Sequence, residues 1–261
     1  MKIIKTILFS LIVFFVSAVN VHAVNPSTAL KVNLTVAAAA NLRAVLEELK
    51  TAFEKDSAVT LKIITGSSGK LAAQIENGAP FDIFLSADMK YPQTLYQGGF
   101  AKRLPQVYAY GILVLWTMKE IDLSAGVSIL NNPAIKKIAV ANPDLSPYGR
   151  EAVNVMKFYQ LTSGINSKLV YGESIAQTNA FITSRSADLG FTSKSTLLDP
   201  HLKERGAWIE IPSESYAPLA QGAVILKHAA KNNPDAARQF YLFLFSPAAR
   251  AIFKQYGYQT G

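Results

Sequence analysis

Stretches of alternating or continuous apolar residues give way along this chain, again and again, to apolar positions spaced three and four apart. Leu34-Thr35-Val36-Ala37-Ala38 reads as a short strand. Leu42, Val45, Leu46, Leu49, Ala52 and Phe53 then recur at helical spacing, with Glu47, Glu48 and Lys50 opposite. Asn41, between the two, is a residue type that caps helices. Val59 to Ile64 alternates as a second strand, a helix runs from Gly69 to Glu76 and stops at Asn77-Gly78, and Phe81 to Ser86 is a third strand. Strand, helix and strand at this spacing predict right-handed crossovers and a largely parallel sheet.

The rhythm then repeats. Strands are expected at Ile112 to Trp116, Ile138 to Ala141, Leu169 to Tyr171, Leu189 to Thr192 and Ala223 to Leu226. Helices are expected from Tyr148 to Tyr159, Ile175 to Ser184, Pro234 to Phe245 and Pro247 to Tyr256. Each half is too short for one large sheet, so two similar α/β lobes are expected. The chain should cross between them near Tyr108 and return near Pro212. That gives a first lobe of residues 24–108 plus 213–261 and a second of 109–212, with the final helices packed back on the first.

The first residues change the picture of compartment. Lys2 and Lys5 form a positive start, Ile7 to Val19 is apolar, and Val21-His22-Ala23 offers small residues to a signal peptidase. Residues 1–23 are therefore expected to be a cleaved export signal, since the apolar run is shorter than the ~20 residues of a membrane span. About 238 residues would remain, enough for two small lobes. The chain has no cysteine. Neither a lipid-anchored cysteine nor a disulfide is open to it, and packing alone must hold the fold. Formal net charge is +8. Lysines and arginines are scattered, with no basic run or nucleic-acid motif, so nucleic acid is not an expected partner. A mild positive field of this kind steers small anions toward a cleft.

Candidate chemistry concentrates at four places where a strand or turn runs into a helix start. They are Ala37-Ala38-Ala39-Ala40-Asn41, Gly66-Ser67-Ser68-Gly69-Lys70, Ser146-Pro147-Tyr148-Gly149 and Gly172-Glu173-Ser174-Ile175. A helix start carries unpaired N–H groups and roughly half a positive charge, so several aimed at one point make an anion cage with no buried cation. Taken singly, each also reads as an ordinary capped turn. Arg150 is expected to be a solvated helix residue, and Glu173 a cap partner at its helix start. Catalysis finds little support: His201 and His228 lack metal-ligand spacing, and an exported hydrolase using Ser68 or Asp82 has no evident partner base.

These residues carry a family resemblance. The run from Leu34 to Leu42, Gly66-Ser67-Ser68-Gly69-Lys70-Leu71-Ala72-Ala73-Gln74-Ile75 and Glu76-Asn77-Gly78-Ala79-Pro80-Phe81-Asp82-Ile83-Phe84-Leu85-Ser86-Ala87-Asp88 are similar to the periplasmic molybdate-binding proteins of ABC transporters. So are Ala139 to Pro143, Tyr148-Gly149 and Phe253 to Tyr258. The resemblance implies a two-lobed periplasmic binding protein fold of α/β class, with two chain crossovers and the ligand cleft between the lobes. It implies a protein that holds molybdate or tungstate through hydroxyls and backbone amides and hands it to a membrane ABC permease; a monomer is the default expectation. No cofactor and no metal–protein bond are implied, because the metal arrives as its oxyanion. Carried over by motif, the contacts are Ala40, Asn41, Ser68, Tyr148 and Ile175, with Ser67, Gly149 and Ser193 as secondary candidates. Asn41 stands where many members have serine, so an amide would replace a hydroxyl donor. A receptor for another oxyanion such as sulfate or phosphate is the alternative.

Overall fold

The computed structural model describes residues 32–261, and the expected export signal lies outside them. Two five-stranded sheets are built in succession. The first contains β1 (Val32–Ala39), β2 (Val59–Gly66), β3 (Ile83–Leu85), β4 (Gln106–Gly111) and β10 (Leu219–Ile225), in the order β2-β1-β3-β10-β4. The second contains β5 (Leu113–Thr117), β6 (Ile138–Ala141), β7 (Leu169–Gly172), β8 (Leu189–Ser193) and β9 (Ala207–Glu210), in the order β7-β6-β8-β5-β9.

The sheets are mixed, not largely parallel. β1 is parallel to β2 and β3, but β10 runs antiparallel to both β3 and β4. Likewise β6 is parallel to β7 and β8, while β5 is antiparallel to β8 and β9. Strands that arrive through a helical crossover must enter parallel; β5 and β10 arrive from the neighbouring sheet and escape that constraint. Tyr108 stays inside β4, and Ile112 alone separates the last residue of the first sheet from the first of the second. The return lies between Glu210 and Leu219. Strands β4 and β9 lie outside the sequence expectation.

Helices cover the sheets. They are α1 (Arg43–Lys55), α2 (Ser68–Glu76), α3 (Lys90–Gln97), α4 (Pro147–Phe158), α5 (Thr162–Ile165), α6 (Ile175–Thr183), α7 (Lys194–Leu197), α8 (Lys227–Asn232), α9 (Pro234–Phe243) and α10 (Pro247–Gln255). α1 buries Val45, Leu46, Leu49 and Phe53. Phe240 of α9 meets the Phe53 ring edge-on at 5.0 Å, and Phe253 of α10 lies 5.3 Å from Tyr108 of β4. Each such aromatic removes enough apolar area from water to contribute roughly 1.5–3 kcal/mol, which fixes the last helices on the first sheet. The chain then ends with Gln259 paired to Tyr110 in an antiparallel bridge.

The strand ends matter most. β1 runs into a single 3-10 turn at Ala40–Leu42, β2 into α2, β6 into α4 and, through Glu173-Ser174, β7 into α6. All four junctions lie at carboxyl ends of strands, where open α/β sheets place their ligands.

Candidate functional site

The four junctions converge on one small, narrow cavity. Its wall is Ala39, Ala40 and Asn41 after β1; Gly66, Ser67 and Ser68 after β2; Ala87 after β3; Ser146, Pro147 and Tyr148 after β6; and Ile175 after β7. None of these side chains is charged. The N–H groups of Ala40, Asn41, Ser68, Tyr148 and Ile175 all fall at the first or second position of a helix or 3-10 turn, where the helix itself offers no acceptor.

Each junction is built locally. Ser146 caps α4 by accepting from the Gly149 N–H, and Pro147 takes the first helical position, where a missing N–H costs nothing. Gly149 is glycine for packing: a Cβ there would overlap the Ala141 carbonyl of β6. Its N–H is turned to Ser146 Oγ at 3.4 Å, and it does not line the cavity. At α2 the N-cap is Ser67, whose hydroxyl makes no cap bond. Ser67 is only 3 % exposed, yet its Oγ has no hydrogen-bond partner. A buried hydroxyl left this way costs about 1–3 kcal/mol, so a native site calls for something to fill the gap. Ser68 Oγ instead accepts from the Ala87 N–H at 3.0 Å and keeps its own proton to give.

The other expected residues fall differently. Asn41 is not a helix cap. It lies within the 3-10 turn, and its side-chain Nδ2 donates to Gln221 Oε1 at 3.0 Å and to the Tyr258 hydroxyl at 2.9 Å. Both donors of that amide are thus engaged behind the cavity. Ser193 is brought to the back of the wall and not into it: its hydroxyl meets Thr196 Oγ1 at 3.0 Å and Ser195 Oγ at 2.9 Å, and Ser195 Oγ donates to the Asn41 carbonyl. Arg150 is not simply solvated. Its guanidinium reaches Asp88 at 2.7 Å and Glu151 at 3.4 Å, and although burial would lower its pKa, these two carboxylates outweigh that and hold it raised. The Glu173 backbone N–H donates to Gln177 Oε1 at 2.6 Å at the start of α6, as a cap partner, while its carboxylate pairs with Lys70 at 2.7 Å.

Four residues in or behind the wall are not among the candidate contacts: Ala87, Gln221, Ser195 and Tyr258. Ala87 follows a strand end just as the others do, and both it and Tyr258 fall in runs that carry the family resemblance. Gln221 is legible as a lone amide in the apolar strand Leu219–Ile225. Burial pushes the Tyr108, Tyr148 and Tyr258 hydroxyls well above the ordinary phenol range, so the layer behind the cavity carries no charge.

Residues 34–259 match the family described as bacterial extracellular solute-binding protein. The chain belongs to that family. This solute-binding protein is 38 % identical over 224 residues to the molybdate-binding protein ModA of Azotobacter vinelandii, covering 85 % of this chain and 88 % of the relative. It is 35 % identical over 226 residues to ModA of Rhodobacter capsulatus, covering 86 % and 87 %. The solved structure of the Azotobacter vinelandii periplasmic molybdate-binding protein superposes with a TM-score of 0.83 at 34 % identity, over 87 % of this chain and 99 % of that one. The sulfate-binding protein SubI of Mycobacterium tuberculosis has a TM-score of 0.71 at 13 % identity, covering 88 % and 87 %, a likeness of fold alone. Among the described residues no helix is long and apolar enough to cross a membrane.

Proposed function

We propose that this solute-binding protein captures molybdate, or tungstate, in the periplasm and presents it to a membrane ABC permease, as a monomeric receptor and not as an enzyme. In this reading the two sheets are the cores of two lobes that close on the anion. The observation that carries the proposal is a cavity walled by helix starts, with a buried, unpartnered Ser67 hydroxyl and no charged side chain. Relatives at 38 % and 35 % identity that bind molybdate supply the choice of anion.

The donors are the N–H groups of Ala40, Asn41, Ser68, Tyr148 and Ile175 together with the Ser67 and Ser68 hydroxyls. A tetrahedral dianion stripped of water is held by dipoles pointed at its four oxygens, and the helix starts add their positive ends. Neutral donors suit a cargo that must be released, because no ion pair has to be broken. Selectivity follows from reach. Molybdate and tungstate are nearly equal in size and larger than sulfate, so sulfate leaves donors unpaired at roughly 1–3 kcal/mol each. With no carboxylate in the wall, a ligand proton such as that of hydrogen phosphate lacks a strong acceptor.

Calorimetric titration with molybdate, tungstate, sulfate, phosphate and chromate tests this. Tight, similar binding of the first two and weak binding of sulfate and phosphate are expected. Sulfate binding as tight as molybdate, or no binding of either metal oxyanion, overturns it.

A further inference from the structure

Behind the cavity wall, Gln221 of β10 is fully buried, and both ends of its amide are engaged. Its Oε1 accepts from Asn41 Nδ2 at 3.0 Å and from the Tyr108 hydroxyl at 3.1 Å, while its Nε2 donates to the Tyr148 hydroxyl at 3.2 Å. Asn41 lies in the 3-10 turn that follows β1 of the first sheet; Tyr148 lies in the first turn of α4, which follows β6 of the second. Both belong to the cavity wall, on opposite sides. One side chain therefore grips the two halves of the site at once.

Two further features fit this placement. The register of β10 against β4 shifts between Gln221 and Gly222, an irregularity of the kind that re-aims a side chain out of the regular pleat. The Tyr148 hydroxyl also lies where a Cβ on Gly111 would be, and Gly111 is the last residue before the chain passes into the second sheet. The contact thus lies beside the crossover of the chain from the first sheet to the second.

Resting on the anion-receptor reading above, we propose that Gln221 is a positioning residue that couples the halves of the site. It sets the separation of the Asn41 and Tyr148 N–H groups, and its bond to Tyr148 exists only while the sheets are closed. That bond biases the equilibrium toward the closed arrangement before any anion arrives, so ligand affinity rises with the closed fraction.

Because the chain has no cysteine, Glu76→Cys and Ser167→Cys, both exposed and one on each sheet's side, accept spin labels cleanly. In that background, Gln221→Met and Tyr148→Phe are compared with the parent by electron–electron double resonance without ligand and with molybdate, and by calorimetry. Both variants are expected to lengthen the unliganded distance distribution and to weaken molybdate binding at least tenfold, with circular dichroism unchanged. Tyr148→Phe removes one oxygen, so it carries the test if Gln221→Met does not fold. Distributions that coincide with the parent's, or distances that shift with no loss of affinity, overturn the proposal. A parent that binds no molybdate sinks the anion assignment instead, and the unliganded distances still decide whether Gln221 couples the sheets.

Discussion

Ser67 and Ser68 are neighbours in the cavity wall with opposite roles toward the fold. Ser68 Oγ holds the buried Ala87 N–H, whereas Ser67 Oγ holds nothing in the protein. Ser67→Ala is therefore expected to weaken molybdate by about 1.5–3 kcal/mol, the worth of a hydrogen bond to a charged partner, while the melting temperature stays put. Ser68→Ala should lower both affinity and melting temperature, because it leaves the Ala87 N–H unpaired. Calorimetry and thermal melting on the two variants separate these roles; equal effects on both readouts would remove the distinction. At this scale the sequence showed where backbone could approach a ligand, through small residues and glycine at the junctions. It did not show which way a polar side chain turns. The Asn41 amide faces backward because Gln221 and Tyr258 wait there, 180 and 217 residues further along the chain, and no local pattern reports partners so remote.

Elements position the donors, and α4 is the most exacting of them. Its first turn lies so close to β6 that any Cβ at Gly149 would meet the Ala141 carbonyl. Gly149→Ala is expected to cost about 1–3 kcal/mol of stability through overpacking and, by lifting the turn, to weaken binding through the adjacent Tyr148 N–H. Normal affinity in a destabilised variant would show that the turn relaxes without moving the donor. A second device braces the same sheet. Asp188, just before β8, accepts the Lys136 and Lys137 N–H groups at 2.7 and 2.8 Å and pairs with Lys119. Burial raises its pKa, but Lys119 and the two N–H groups outweigh that and leave it lowered. A lowered carboxyl stabilises the fold above its unfolded pKa of about 3.9, and that contribution is lost as pH falls through the folded value. The melting-temperature gap between the parent and Asp188→Asn should thus be full near neutrality and narrow below about pH 4; a gap that does not change with pH counts against this role. Most of the elements that carry the junctions were legible from periodicity alone. The strand directions were not, because the pattern of a strand is the same whether it arrives by a helical crossover or from the next sheet. β9 and the short helix α7 were hidden by their brevity, and α3 by Pro92, which its first turn tolerates.

Across the whole molecule the two sheets are stitched together around the cavity. Gly69 N–H donates to the Leu145 carbonyl at 2.8 Å, the Tyr91 hydroxyl to the Asp144 carbonyl at 2.8 Å, and Arg150 pairs with Asp88 at 2.7 Å. Lys70 and Glu173 add an outer pair whose side chains are each 49 % exposed, so water and salt screen most of its worth. Closure by these links predicts a smaller radius of gyration with molybdate than without it in solution scattering. Arg150→Met, which leaves the buried Asp88 carboxylate unpaired, should widen the unliganded envelope and lower affinity, while Lys70→Met should change affinity less than about twofold. Coincident curves for parent and Arg150→Met would show that the inner pair does not govern opening.

Tyr258 and Gln259, beyond α10, brace this site from behind. Tyr258 reaches the Asn41 carbonyl at 2.9 Å, and Gln259 is tied to β4 through Tyr110. The wall at Asn41 is therefore complete only once Tyr258, 217 residues away in sequence, has docked behind it. Losing Tyr258 and Gln259 would take away both the support behind Asn41 and the tie to β4.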